Sequence, residues 1–218
     1  MESYVNIKTD PTGKKLYQAS LDTCHHHTLQ LEFIHQWLID IEKFEALQRQ
    51  NRSVPDFSTI KNLYQLQALF IIASTDLTVI TCQMHLFKDK LQNLFFDRQL
   101  NLTIYEAHGT YCSHKQFLRQ LISSRYPNLE RSLLEIAAEE KEFVRKFRIK
   151  SDVSEIRNKV GGHIHKDFKE WYQTVNTLNA EKDALMAIAF MDLFIKIFNL
   201  TTRLTELEHN RFMAEEQN

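Results

Sequence analysis

Arg157, Asn158 and His163 are the residues of this chain whose types and spacing best suit covalent chemistry. They stand in the run SEIRNKVGGHIHKDF, residues 154 to 168, as an arginine, a polar residue, four further residues and a histidine. A guanidinium offers a fixed charge on a planar fork that matches phosphoryl oxygens, and an imidazole exchanges protons near neutral pH. Those are the parts needed when a ribose 2′-OH attacks the adjoining phosphodiester: a proton acceptor, a proton donor and a cation for the crowded phosphorane. Asn158 could hold the phosphate or orient the histidine. In unbroken α-helix six residues turn a side chain by roughly 600°, leaving Arg157 and His163 about 120° apart. Gly161 and Gly162 lie between them and weaken a helix by roughly 1 kcal/mol each, so a break there can turn His163 back toward Arg157. The bland reading of the same residues is an ion-pair partner, a helix stop and a solvated histidine.

Charge around the motif favours an anionic ligand. Residues 145 to 169 hold Arg145, Lys146, Arg148, Lys150, Arg157, Lys159, Lys166 and Lys169 against Asp152, Glu155 and Asp167, a local +5 in a chain of net −1. Arg148, Lys159, His165 and Lys166 are the expected contacts to RNA phosphates. Phe168, Trp171 and Tyr172 follow directly and suit base stacking or a core.

The Arg157 to His163 spacing on a helical chain, with another long helix after it, resembles the HEPN superfamily. The resemblance covers about fifteen residues plus the all-α character. It implies a homodimeric helical bundle whose paired motifs line one cleft. By the same resemblance the activity is that of a metal-independent endoribonuclease, a hydrolase of toxin-antitoxin or antiviral defence systems, with no cofactor and a 2′,3′-cyclic phosphate product. An antitoxin or other defence-system protein is the implied partner beside RNA. His165 stands where many HEPN toxins paired with nucleotidyltransferases carry a tyrosine, which argues against control by tyrosine AMPylation and leaves His165 as a second proton-transfer group or phosphate contact. A non-catalytic HEPN-like nucleotide- or RNA-binding protein and a helical interaction module are the alternatives.

Other chemistry-bearing residues carry weaker patterns. Cys24, His25, His26, His27 and His35 resemble a metal cluster in composition, but consecutive residues of a helix point in different directions, so a solvated face is expected. Asp76 sits in an apolar stretch and reads as a helper of the site or a hydrogen-bonded core group. His108, Cys112 and His114 are spaced too loosely to assign. Phosphate loops, zinc spacings and nucleophile elbows are missing.

Helices must position these groups, because the chain of 218 residues has 4 glycines and 3 prolines and is 43% hydrophobic. Few tight turns and a sizeable core predict one all-α domain, a bundle of long antiparallel helices over residues 1 to 218 with a tail that frays from about 209. Leu31, Ile34, Leu38, Ile41, Phe44 and Leu47 predict a helix from near Lys14 to Gln50, broken at NRSVPDFS, with Asp56 or Ser58 capping the next. Leu63 through Leu94 alternate by three and four without interruption and predict a central helix, its face widened by Leu69, Ile72, Val79 and Leu86. Asp97 to Cys112 lose that period and predict a loop with a short extended piece. Ser113 then caps a short helix ending at Tyr126 before Pro127. Leu129, Leu133, Ile136, Phe143 and Phe147 mark a further helix, Ser151 or Asp152 a cap, and Met186 to Leu207 the last long helix. Ala68 to Phe87 and Ala184 to Leu200 are apolar enough to test as membrane spans, yet each holds ionisable residues that cost roughly 2.5 to 3.5 kcal/mol at a bilayer centre. With no apolar leader at the amino terminus and three scattered cysteines, the expectation is a cytoplasmic protein without disulfides or membrane contact. The sequons at Asn51, Asn101 and Asn199 then read as chance matches.

Overall fold

The computed structural model describes residues 11–48, 56–86, 89–161 and 167–215. Among them there is no strand, and the chain is all-α. In order come α1 (Pro11–Gln48), α2 (Ser58–Leu86), α3 (Lys90–Arg125), α4 (Glu130–Phe147), the single turn α5 (Ser154–Ile156), α6 (Phe168–Val175) and α7 (Ala180–Glu215). Asp56 starts α2 by accepting from the Ser58 amide at 2.9 Å, and Asp89 does the same for the Gln92 amide of α3 at 3.1 Å. Such bonds satisfy donors that a helix start leaves open. α3 ends at Arg125, where Pro127 forbids continuation.

α2, α3, α4 and α7 form an up-down-up-down bundle. Its centre is α2, whose Leu63, Leu66, Phe70, Ala73, Leu77 and Ile80 are buried at the predicted three-four spacing. They meet Leu100, Ile104 and Leu118 of α3, Ile136 and Phe143 of α4, and Met186, Phe190 and Ile197 of α7 in one core. The register across α2 and α7 is antiparallel: the rings of Phe70 and Phe194 lie 4.6 Å apart, and Gln67 donates to the Thr205 hydroxyl at 3.2 Å. α7 runs parallel to α3, since Arg125 meets Glu208 at one end while Asn101 and Asp183 share a cavity at the other. α1 packs outside, antiparallel to α2, through Ile34 and Ile41 against Ile60, Tyr64 and Ile71.

Five expectations need correction. The central helix does not continue to Leu94: α2 ends at Leu86 and a separate helix, α3, begins at Lys90. Asp97 to Cys112 are not a loop but the first half of α3, with Leu100, Ile104, Ala107 and Tyr111 buried on one helical face. Ser113 is therefore internal to α3 and its hydroxyl donates back to the Thr110 carbonyl at 2.7 Å. The second stripe of α2 is not core: Leu69, Ile72 and Val79 are exposed, and Leu86 alone is buried. Finally, the tail is helical to Glu215, because the His209 ring sits edge-on to Trp37 at 4.7 Å and the Phe212 ring stacks on Phe57 at 4.8 Å.

α2 and Glu181–Phe212 are long and apolar enough to cross a membrane by length and composition. Here they pack against each other, and Asp76, Asp192 and Lys196 lie on exposed faces. Asp76 is thus neither a core group nor bonded into the motif.

Candidate functional site

After α4 the chain winds irregularly as far as Gly161. Arg148 caps α4 in the left-handed region at φ 54°, the one positive φ of a non-glycine residue among the described residues. A π-helical turn, Ile149–Val153, then leads through α5 into a second, Arg157–Gly161. π turns are rare and gather at functional sites. Ser151 and Asp152 do not cap a helix start as expected; the Ser151 hydroxyl donates to the Asp152 carboxylate at 3.0 Å inside the first π turn. Ile149, Val153 and Ile156 are buried and anchor the segment on the bundle end, which leaves Arg157 and Asn158 exposed.

The Arg157 guanidinium is held from two sides. Its Nε donates to Glu106 of α3 at 3.0 Å and an Nη1 donates to the Asn158 side-chain oxygen at 3.1 Å, while the fork lies 5.8 Å from the Tyr105 ring centroid. Asn158 thus orients the arginine. Its side chain keeps 45% of its surface open, so the charge stays accessible. Gly162, His163, His165 and Lys166, and with them the expected convergence of imidazole and guanidinium, lie outside the described residues.

Four cations of the basic stretch, Arg145, Arg148, Arg157 and Lys159, are matched by carboxylates. Lys159 sits 2.8 Å from Glu155 and 2.8 Å from Glu170, and these bonds raise its pKa. Arg148 pairs with Asp152 at 3.2 Å and Arg145 with Glu142 at 2.6 Å. Glu106, Glu142 and Glu170 fall outside the window that gave +5, which is why counting along the chain overstated the local charge. A phosphate approaching Lys159 or Arg148 competes with a carboxylate already there. Trp171 is half-buried and Tyr172 exposed; the Phe168 side chain lies outside the described residues.

Beneath Lys159 lies a cavity of about 350 Å³, walled by Glu155, Glu170 and Thr174 and floored by Asn101 and Asp183. Asn101 is 1% exposed; its amide donates to the Asp97 carbonyl at 2.9 Å, and its side-chain oxygen has no partner. Burial pushes the Asp97 carboxyl up to about 6, helped by the charge of Asp183. Burial also raises Asp183, against bonds from Asn101 and the Asn179 amide. Asn101 cannot serve as a glycosylation acceptor in this fold.

A second constellation joins His108 and Cys112, left unassigned by their spacing, to two residues the sequence did not single out, Lys115 and Glu140. His108, Cys112 and Lys115 stand at i, i+4 and i+7 on α3 and meet Glu140 of α4. The carboxylate lies 2.8 Å from the His108 Nε2 and accepts from Lys115 at 2.8 Å; Cys112 Sγ is 3.5 Å from that Nε2 and 3.8 Å from the carboxylate. Burial alone would raise the Glu140 carboxyl, but the bonds from Lys115 and His108 outweigh it and hold it below the ordinary range. Both Cys112 and Glu140 approach the same ring nitrogen, so this is not a relay in which a histidine bridges a thiol and a carboxylate through opposite nitrogens. The i, i+4, i+7 spacing would have exposed the group once residues 97 to 112 were read as helix. His114, by contrast, bonds back to the Thr110 carbonyl at 2.8 Å.

On α1 the histidine run does not close on a site. His27 Nδ1 lies 2.8 Å from the Thr75 hydroxyl, whose proton goes to the Ile71 carbonyl, so the ring donates. Neither a family model, nor a curated protein, nor a solved structure matches the chain.

Proposed function

We propose that the chain is a metal-independent endoribonuclease that cleaves RNA by 2′-OH attack, acting in the cytoplasm in a toxin or antiviral defence role. The observation that carries this reading is the Arg157 fork, fixed on a π-helical turn by Glu106 and Asn158 with nearly half of its side chain open. A pre-oriented guanidinium of that kind stabilises charge developing on a phosphoryl group without reorganising during the reaction. His163 supplies proton transfer, six residues on in the sequence, and a homodimer with RNA and an antitoxin-like protein as partners follows from the HEPN resemblance. Glu106 is a positioning residue: it aims Arg157 and partly offsets its charge.

A second reading rests on the cavity. Its volume of about 350 Å³ suits a mononucleotide-sized ligand, and the unpartnered oxygen of Asn101 calls for a donor. A nucleotide-binding protein without turnover would use that cavity, whose cationic lining residues are Lys159 and Lys182.

Both readings meet in one assay. End-labelled RNA is incubated with purified protein in excess EDTA, and the products are scored for cyclic-phosphate ends. Arg157→Ala and His163→Ala are expected to slow cleavage by roughly 100-fold or more with unchanged helical circular dichroism. Cleavage that persists in both variants removes the site assignment. RNA or nucleotide retained by the wild type without cleavage moves the assignment to the binding reading.

A further inference from the structure

We infer that His108, Cys112 and Glu140 form a binding site for one borderline-soft divalent cation of the zinc type, which ties α3 to α4. Three different ligand classes converge there from two helices, with all donor atoms within 4.8 Å of one another. Ligands at about 2.0 to 2.3 Å from a tetrahedral zinc stand roughly 3.3 to 3.5 Å apart. The Sγ to Nε2 separation of 3.5 Å already meets that geometry, and the 3.8 Å from Sγ to the carboxylate is close to it. Only the 2.8 Å contact between Nε2 and Glu140 has to open, by about half an ångström.

Charge and surroundings fit the same occupant. A thiolate, a carboxylate and a neutral imidazole around a dication sum to zero, which suits a place where His108 is 7% and Glu140 8% exposed. Thiol and imidazole favour zinc over magnesium or calcium, which prefer oxygen ligands. Lys115 holds the far oxygen of Glu140, an outer contact that orients a ligating carboxylate. Cys112 is exposed and gives the ion its way in and a fourth position for water.

The site stands apart from the proposed cleavage chemistry. Glu106, which holds Arg157, and His108 are two residues apart on α3 and point about 200° away from each other. A structural ion here is compatible with cleavage in EDTA, and neither proposal stands or falls with the other.

The test uses the full chain stripped with EDTA and dialysed free of it, with Zn²⁺ and Co²⁺ as probes. One Co²⁺ per chain is expected with a thiolate-to-cobalt charge-transfer band. Cys112→Ala should lose that band and bind Zn²⁺ about 100-fold more weakly or worse, since even outer-shell substitutions cost 10- to 100-fold. Cys24→Ala and Cys82→Ala should keep both properties. Zn²⁺ should raise the Tm of the wild type, protect Cys112 from alkylation and do nothing for the Tm of Cys112→Ala. Because Cys112 lies at the protein edge, its replacement leaves the buried bond between His108 and Glu140 in place and the fold testable by circular dichroism. A wild type without the band, or equal Zn²⁺ affinity in wild type and Cys112→Ala, overturns the inference.

Discussion

Glu208 is 0% exposed and is nonetheless the acceptor of two bonds from Arg125 at 2.9 and 3.0 Å, one from the Tyr126 hydroxyl at 2.7 Å and two from Arg211 at 2.9 and 3.3 Å. Burial would raise its carboxyl, but these donors outweigh burial and lower it, so Glu208 contributes stability above the ordinary carboxylate range that fades as pH falls through its own. Glu208→Gln should lower the unfolding free energy at pH 7 by about 3 kcal/mol, read from urea titrations, because it leaves two guanidinium groups against a neutral amide. Asp97 has the opposite sign. Its carboxyl is raised from 3.8 to about 6, so the folded state binds more protons in that window and stability declines as pH rises through it. Asp97→Asn should stabilise the protein at pH 7 by roughly 2 to 3 kcal/mol and flatten the stability curve between about pH 4 and 6. An unchanged slope there would mean that the Asp183 carboxylate, not Asp97, takes up the proton. Neither residue was legible in the sequence, because each depends on what a second helix brings to it.

At the scale of elements, α3 is where local pattern and fold part. Leu100, Ile104, Ala107, Tyr111 and Leu118 make a helical stripe, but Asp97, Asn101 and His108 share its buried face and broke the apolar count. Leu100, Leu102 and Ile104 then imitated a strand, although Leu102 is only part-buried. Gly109, the other sign of a loop, is an ordinary exposed helical residue; no glycine among the described residues has positive φ, and a Cβ at Gly109 meets nothing within 4 Å. Gly109→Ala should therefore raise stability by about 0.5 to 1 kcal/mol, measured as a shift of the urea midpoint at constant slope. A loss of stability would contradict a regular helix at that position. The irregular turns from Ile149 to Gly161 were foreseen only as a break near the diglycine, since π turns have no composition signature of their own.

Over the whole molecule, α1 is a layer added to the bundle. It is held by Ile34 and Ile41 on α2, by Trp37 against His209 of α7, and by Phe44 edge-on to Phe57, which in turn stacks on Phe212 of α7. Phe212→Ala should speed hydrogen exchange in α1 while the amides of α2 around Leu66 and Phe70 keep their protection. Equal loss of protection in both would show one cooperative unit instead of a core and a layer. The sequence by itself determined that the chain is helical, where α1, α4 and the body of α7 run and, the exposed Leu47 apart, which of their faces turn inward, because a 3.6-residue period is written in neighbouring residues and needs no partner. Only tertiary packing decided that Gln67 meets Thr205, that Arg125 meets Glu208 and that His108 meets Glu140, contacts spanning 138, 83 and 32 residues. Which polar atoms face one another depends on the axial register of packed helices, and that register is a property of pairs of surfaces, not of any stretch of chain.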